Sequence, residues 1–261
     1  MLLPNTMCLI ALAYRCHPGF PLLVAANRDE YYRRPTAPAD FWEDHPDLLA
    51  GRDLQAGGTW MGVDRRGRFA AITNHRNPPT TPESPRSRGM LTLDFLVGET
   101  SAEPYLHSLA AEGGNYAGFN LMLSDDSGLY YYSNIEGQVR RLEPGVYGLS
   151  NGLLDSAWPK QCQAADKLRD LIPGPIDHAG LQATVSNRAP APIEDLPDTG
   201  LSSEMELALS SQFIVTGEYG TRATTSLSLD GEGQAHFLER SFTSGGSPDG
   251  EQAVSFSVNA Y

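Results

Sequence analysis

The stretch Met7-Cys8-Leu9-Ile10-Ala11-Leu12-Ala13-Tyr14 decides the fold, together with the returning segment Pro21-Leu22-Leu23-Val24-Ala25-Ala26. Each is continuously apolar and too short for a typical buried helix, so each reads as a strand covered on both faces. His17-Pro18-Gly19 between them is a turn, which makes the pair a hairpin. Its second strand runs straight into Asn27-Arg28-Asp29-Glu30 and brings that charged tetrad back towards Cys8.

Outward from this hairpin, residues 33–47 are rich in proline and aromatics and read as an ordered loop. Gly57-Gly58-Thr59 leads into a strand over 60–63, a turn at Asp64 to Gly67, and a strand over 68–73 that ends at Asn74-His75. Four prolines between Pro78 and Arg88 mark an exposed loop. Segments 90–97, 103–112 and 158–171 suit helices. Lys167 and Arg169 in the last of these favour its C-terminal dipole. Strands are expected at 118–124, 129–134, 145–150, 211–216, 223–229 and 234–241. Residues 190–199 read as a polar loop, and 243–250 as a Ser/Gly-rich tail. Strands, then helices, then strands again predict a layered α+β protein with antiparallel sheets.

The 261 residues suffice for one sizeable core, and no linker divides them, so a single domain over 1–261 is expected. Residues 1–6 do not continue the strand pattern and read as extra residues ahead of the domain. A formal net charge of −13 repels phosphate backbones and anionic membrane faces, so nucleic acid is not an expected partner. Three sparse cysteines, Cys8, Cys16 and Cys162, do not form a disulfide framework. No apolar run approaches the ~20 residues needed to cross a bilayer. A cytoplasmic location follows as the default. Histidine spacing supports no metal site, and no phosphate-binding glycine motif points to a nucleotide, so neither metal nor cofactor is expected.

Chemistry centres on Cys8. A chain beginning there would hold a nucleophile and a base in one residue, because a terminal amine titrates near ~7.7–8.0 and a free thiol near ~8.5. With preceding residues attached, that nitrogen is an amide and cannot be the base. Arg28 is placed to favour a thiolate, and Asp29 to orient the ammonium. Asn74 and Asn151 each end an apolar strand and offer carboxamide donors for an oxyanion. Asn27, Trp60, His75 and Arg222 are the candidate substrate-binding residues, Arg222 as a carboxylate ligand. Each residue also has a plain structural alternative: a buried strand cysteine, a solvated charged turn, turn-forming asparagines, a surface arginine.

Taken together, Met7-Cys8-Leu9-Ile10, Asn27-Arg28-Asp29-Glu30, Ala50-Gly51-Arg52-Asp53, Gly57-Gly58-Thr59-Trp60-Met61-Gly62, Ala71-Ile72-Thr73-Asn74, Gly148-Leu149-Ser150-Asn151, Tyr219-Gly220-Thr221-Arg222 and Glu239-Arg240 resemble the NRDE/TANGO2 (transport and Golgi organisation 2) family. More distantly, the pattern resembles cysteine N-terminal-nucleophile hydrolases of the choloylglycine hydrolase and penicillin V acylase type. That resemblance implies a four-layer αββα sandwich with two stacked antiparallel sheets, and hydrolysis of an amide C–N bond through a thioester. By it Cys8 matches the nucleophile, Asp29 the contact to the terminal amine, and Asn74 and Asn151 the oxyanion-side residues. Arg222 matches a late active-site arginine. Arg28 adjoins Asp29 instead of preceding it by three residues. The family resemblance implies a different alternative, a non-catalytic carrier or chaperone for haem or an acyl lipid. The expected partner is accordingly a small-molecule substrate or a hydrophobic ligand.

Overall fold

A computed structural model describes residues 7–76, 81–83 and 85–258. The opening hairpin forms as expected, with β1 at Met7–His17 and β2 at Phe20–Tyr31. β3 (Thr36–Phe41) and β4 (Leu48–Asp53) follow, then β5 (Met61–Asp64) and β6 (Phe69–Asn74). Helices α1 (Gly89–Val97) and α2 (Ala102–Ala110) precede a meander of β7 (Phe119–Asp125), β8 (Gly128–Ser133), β9 (Gln138–Leu142) and β10 (Gly145–Leu149). Then come α3 (Pro159–Leu171), α4 (His178–Ala183) and α5 (Ser203–Ala208). The chain closes with β11 (Tyr219–Leu229), β12 (Gln234–Phe242) and β13 (Pro248–Ser257).

Two sheets result. One has the order β10-β1-β2-β11-β12-β13 and the other runs β3 to β9 in sequence order; all paired neighbours are antiparallel. Strand alternation sorts the side chains of β1. Ile10, Leu12 and Tyr14 enter the core between the sheets, beside Leu22, Val24, Met61, Phe69 and Phe237. Leu9, Ala11 and Ala13 face Ala164, Leu168, Leu181 and Val185 of the α3–α4 layer. On the far side, Leu91, Phe95 and Leu106 of α1 and α2 cover Ala70, Ile72 and Leu121. The layers are therefore αββα, and both faces of β1 are buried, which is why its sequence shows no polar alternation.

Several segments differ from the sequence expectation, which did not include β4, β9, α4 or α5. The 33–47 loop contains β3, which pairs with β4 across a bulge between Ala37 and Asp40. Residues 211–216 form no strand beyond one bridge from Val215 to Gly220. There the Phe213 and Ile214 amides donate instead to the Asn187 carbonyl and the Thr221 hydroxyl, so a buried loop is satisfied without a ladder. The Ser/Gly tail turns at Gly245 and Gly246, both at positive φ, and then becomes edge strand β13. The expectations for residues 1–6 and part of those for 78–88 fall outside the described residues.

A candidate active site at the start of the first strand

Cys8 pairs with Arg28 in the β1–β2 register, and Arg28 with Ala223 in the β2–β11 register. Three strand ends therefore bring Cys8, the tetrad and the Tyr219-Gly220-Thr221-Arg222 segment together. A β-bulge between Thr221 and Ala223 falls on Arg222, and bulges commonly re-aim a side chain. From the opposite sheet β6 delivers Asn74, and the turn after β10, the neighbour of β1 in its own sheet, delivers Asn151. The Asn151 carboxamide donates to the Asn74 carbonyl at 2.8 Å, and the Ser150 hydroxyl donates to the Cys8 carbonyl at 2.8 Å. Asn120 steadies this turn by donating to Gly152 O (2.8 Å) and Thr73 Oγ1 (3.1 Å).

A cavity of about 580 Å³ opens here, and Cys8, Arg28, Asp29, Trp60, Asn74 and Arg222 line it. Gly57 and Gly58 form part of the approach. Gly57 sits at φ +80°, and a Cβ on Gly58 would stand 2.5 Å from the Gly89 carbonyl, so only glycine lets this loop seat against the start of α1.

The remaining candidates lie elsewhere. Asn151 is buried behind the cavity and holds its wall. The Asn27 carboxamide donates to Val185 O (2.7 Å) and Gln212 O (2.8 Å) and accepts from Thr224, so it faces the helical layer and not the cavity. Its expected place at the substrate gives way to a structural one, because these contacts hold its carboxamide within the helical side of the sheet. His75 is also outside the cavity lining, and burial pushes its pKa down.

Cys8 is buried, and burial pushes its thiol up to about 12, helped by the Asp29 and Glu30 charges and opposed by Arg28. Arg28 donates to Thr36 Oγ1 at 3.1 Å and lies 3.7 Å from Glu30. Met7 is buried too, opposite Asp29 in the register. Its amide donates to the Tyr219 hydroxyl at 2.5 Å, and its sulfur accepts from Arg76 at 3.4 Å.

Asp29 is fully buried. Its Oδ1 accepts from Thr221 at 2.6 Å, while its Oδ2 has no hydrogen-bond partner among the described residues. Lys160, at the start of α3, is a residue the sequence reading missed. It is buried, donates to Leu209 O at 3.1 Å, and its ammonium opposes the upward push on Asp29. Nothing in Trp158-Pro159-Lys160 marks it except the helix start. Among the described residues, no group of three or more His, Cys, Asp or Glu side chains is placed to hold a metal. No helix among them is long and apolar enough to cross a membrane.

One consequence is directly measurable. Burial raises the Asp29 carboxyl from 3.8 to about 7, with Lys160, Thr221 and Arg28 pulling the other way. The folded chain thus holds that proton more tightly than the unfolded chain, and stability drains away as pH rises through the window between the two values. The wild-type chain should lose stability relative to Asp29→Asn as pH rises from about 4 to about 7, and any further change above that belongs to Lys160, whose ammonium loses its neighbouring carboxylate in the variant. Thermal melts of both chains across that range check this; a flat difference excludes it.

In a search of solved structures, the chain is similar to a Caenorhabditis elegans N-acylethanolamine-hydrolyzing acid amidase ortholog, with TM-score 0.50 and 10% identity over 74% of this chain and 95% of that one. At that identity the likeness speaks to the fold alone, an αββα sandwich of two antiparallel sheets. In sequence it is 36% identical to the Transport and Golgi organization protein 2 homolog of Bos taurus and 35% to that of Homo sapiens, each over 90% of this chain and 93% of the relative. The Drosophila melanogaster Transport and Golgi organization protein 2 is 26% identical over 94% of this chain and 95% of its own. With a match to the Transport and Golgi organisation 2 family over residues 7–244 as well, the chain belongs to that family.

Proposed function

We propose that this protein is a cysteine N-terminal-nucleophile amidohydrolase acting on the C–N bond of a small or acylated metabolite. The observation that carries this reading is the bare Oδ2 of Asp29, fully buried beside the Met7–Cys8 segment. A buried carboxylate oxygen without a donor is costly, and an ammonium on the Cys8 nitrogen would give it one. Cys8 and Asp29 both line the cavity, and Asp29 is paired with Met7 across the β1–β2 register.

In a chain that begins at Cys8, the α-amine takes the thiol proton and the sulfur attacks the substrate carbonyl carbon. Asn74 donates to the oxyanion, with Asn151 holding the Asn74 backbone in place. The C–N bond breaks as the leaving amine accepts the proton from the ammonium. Water, deprotonated by the same amine, then hydrolyses the thioester to a carboxylic acid and restores the thiol. Trp60 and Arg222 bind the substrate.

The test is a chain beginning at Cys8, mixed with a panel of N-acyl amides and read by intact mass. An acyl adduct on Cys8, absent from Cys8→Ala, is the expected result. Asn74→Ala should lower turnover about 10²–10³-fold with little change in melting temperature. Turnover that survives Cys8→Ala contradicts the reading.

The alternative is a non-catalytic carrier for haem or an acyl lipid. One observation favours it: with Met7 in place the thiol is pushed up to about 12 and the neighbouring nitrogen is a peptide amide. Among the described residues no histidine lines the cavity, so within it a haem iron would draw on Cys8 or Tyr31, the lining residues of a type that ligates haem. Haem absorbance that Cys8→Ala abolishes, without any acyl adduct on the unaltered chain, would favour the carrier.

A further inference from the structure

The cavity is rich in arginine although the chain as a whole carries a net charge of −13. Most of these guanidinium groups are neutralised nearby. Arg28 lies against Glu30, Arg34 pairs with Asp53 at 2.7 Å, Arg52 with Asp44 at 2.8 Å, and Arg86 with Glu112 at 3.0 Å. Arg88 and Arg222 differ, for neither forms an ion pair with a carboxylate among the described residues. Each is tethered instead to backbone carbonyls. Arg88 Nη1 donates to Gly118 O at 3.0 Å, and Arg222 Nη1 donates to Tyr31 O at 3.2 Å and to Arg34 O.

Such tethering fixes the plane of a guanidinium while leaving other N–H groups for a second acceptor. Arg88 is half-buried, and desolvation pulls its pKa down to about 10, against the opposing pull of Cys8 and Glu30. It also immediately precedes α1, whose first turn contains no acidic residue, so the positive end of that helix adds to the same field. Gly89 and Ser87 line the cavity at that point.

We propose that Arg88 and Arg222, on the walls of one cavity, offer it anion-binding groups, and that the ligand of this cavity carries a carboxylate or phosphate as well as the group presented to Cys8. The proposal deepens the functional reading and rests on the same cavity, but it does not require hydrolysis. Arg–carboxylate and Arg–phosphate contacts are charge-assisted and geometrically selective, which suits them to choosing among amides of similar shape.

The experiment uses the full chain carrying Cys8→Ala, which cannot form a thioester, so the outcome is independent of catalysis. Calorimetric titration compares N-octanoylglycine with N-octanoylglycinamide, and N-octanoyl-O-phosphoethanolamine with N-octanoylethanolamine. In at least one pair the charged probe should bind about tenfold or more tightly than its neutral partner, and the pair that shows it identifies carboxylate or phosphate. Arg88→Met should remove that preference while preserving affinity for the neutral probe, and Arg88→Lys should restore part of it. Arg222→Met gives an independent second variant should Arg88→Met fail to fold. No binding by either charged probe, equal affinity within both pairs, or a preference untouched by both methionine variants overturns the proposal.

Discussion

A chain that begins at Cys8 is expected to react with iodoacetamide roughly a thousandfold faster at pH 7.5 than one that keeps Met7. With Met7 attached, the thiol is pushed up to about 12, chiefly by burial. Its thiolate fraction at pH 7.5 is then on the order of 10⁻⁴ to 10⁻⁵. A free terminal cysteine has a thiol near ~8.5 and thus roughly a tenth of its sulfur ionised. Its ammonium beside the sulfur lowers the value further, and loss of the buried Met7 side chain opens a path for the reagent. Cys16 and Cys162 are more accessible and react in both chains, so the rate is read at Cys8 by peptide mass. Equal rates at Cys8 would remove the terminal amine from the chemistry.

Glu206→Ala should cost about 3–5 kcal/mol of stability, the largest single loss expected outside the apolar core. Glu206 of α5 pairs with Arg76, and both side chains are almost wholly buried. Removing one partner leaves a desolvated charge that the surroundings cannot satisfy. The loss should reach the site as well. The Arg76 guanidinium lies 4.7 Å from the centre of the Trp158 ring and donates to the Met7 sulfur, while the Arg76 amide donates to Asn151 O at 2.7 Å. Replacing both members together, as in Arg76→Met with Glu206→Leu, should recover most of the stability, because burying two charges costs about what their attraction returns. Urea denaturation at pH 7 measures both variants against the wild-type chain. A double variant as unstable as the single one would show that the pair is net stabilising.

The central hairpin was legible because an apolar run buried on both faces has few other readings, and its charged end then had to meet the first residues of the run. The edge strands β3, β9 and β13 were not legible for the opposite reason. β9 carries Arg140 and Arg141, and nearly all of β13 is exposed, so backbone pairing forms these strands without an apolar pattern to announce them. Segment 211–216 misled in reverse: Phe213 and Ile214 are buried, but by a loop. At the site, the strand ends identified the cavity-lining residues Cys8, Asp29 and Asn74. Asn27 was expected at the substrate, but its carboxamide is held by Val185, Gln212 and Thr224. Lys160 and Arg88 were missed because each meets the site only through tertiary contacts, one from a helix start and one from a proline-rich loop.

The burial of Met7 also sets a clock. An exopeptidase must draw a substrate's first residues out into its own groove, and here the Met7–Cys8 bond is woven into the middle of a layered protein, with the Met7 amide already engaged by Tyr219. Trimming by another enzyme would have to happen while the nascent chain is still emerging from the ribosome; once folding is complete, the bond is open only to attack from within. Whether Cys8 becomes a terminal residue would then be decided by a race between an aminopeptidase and the closure of the first sheet.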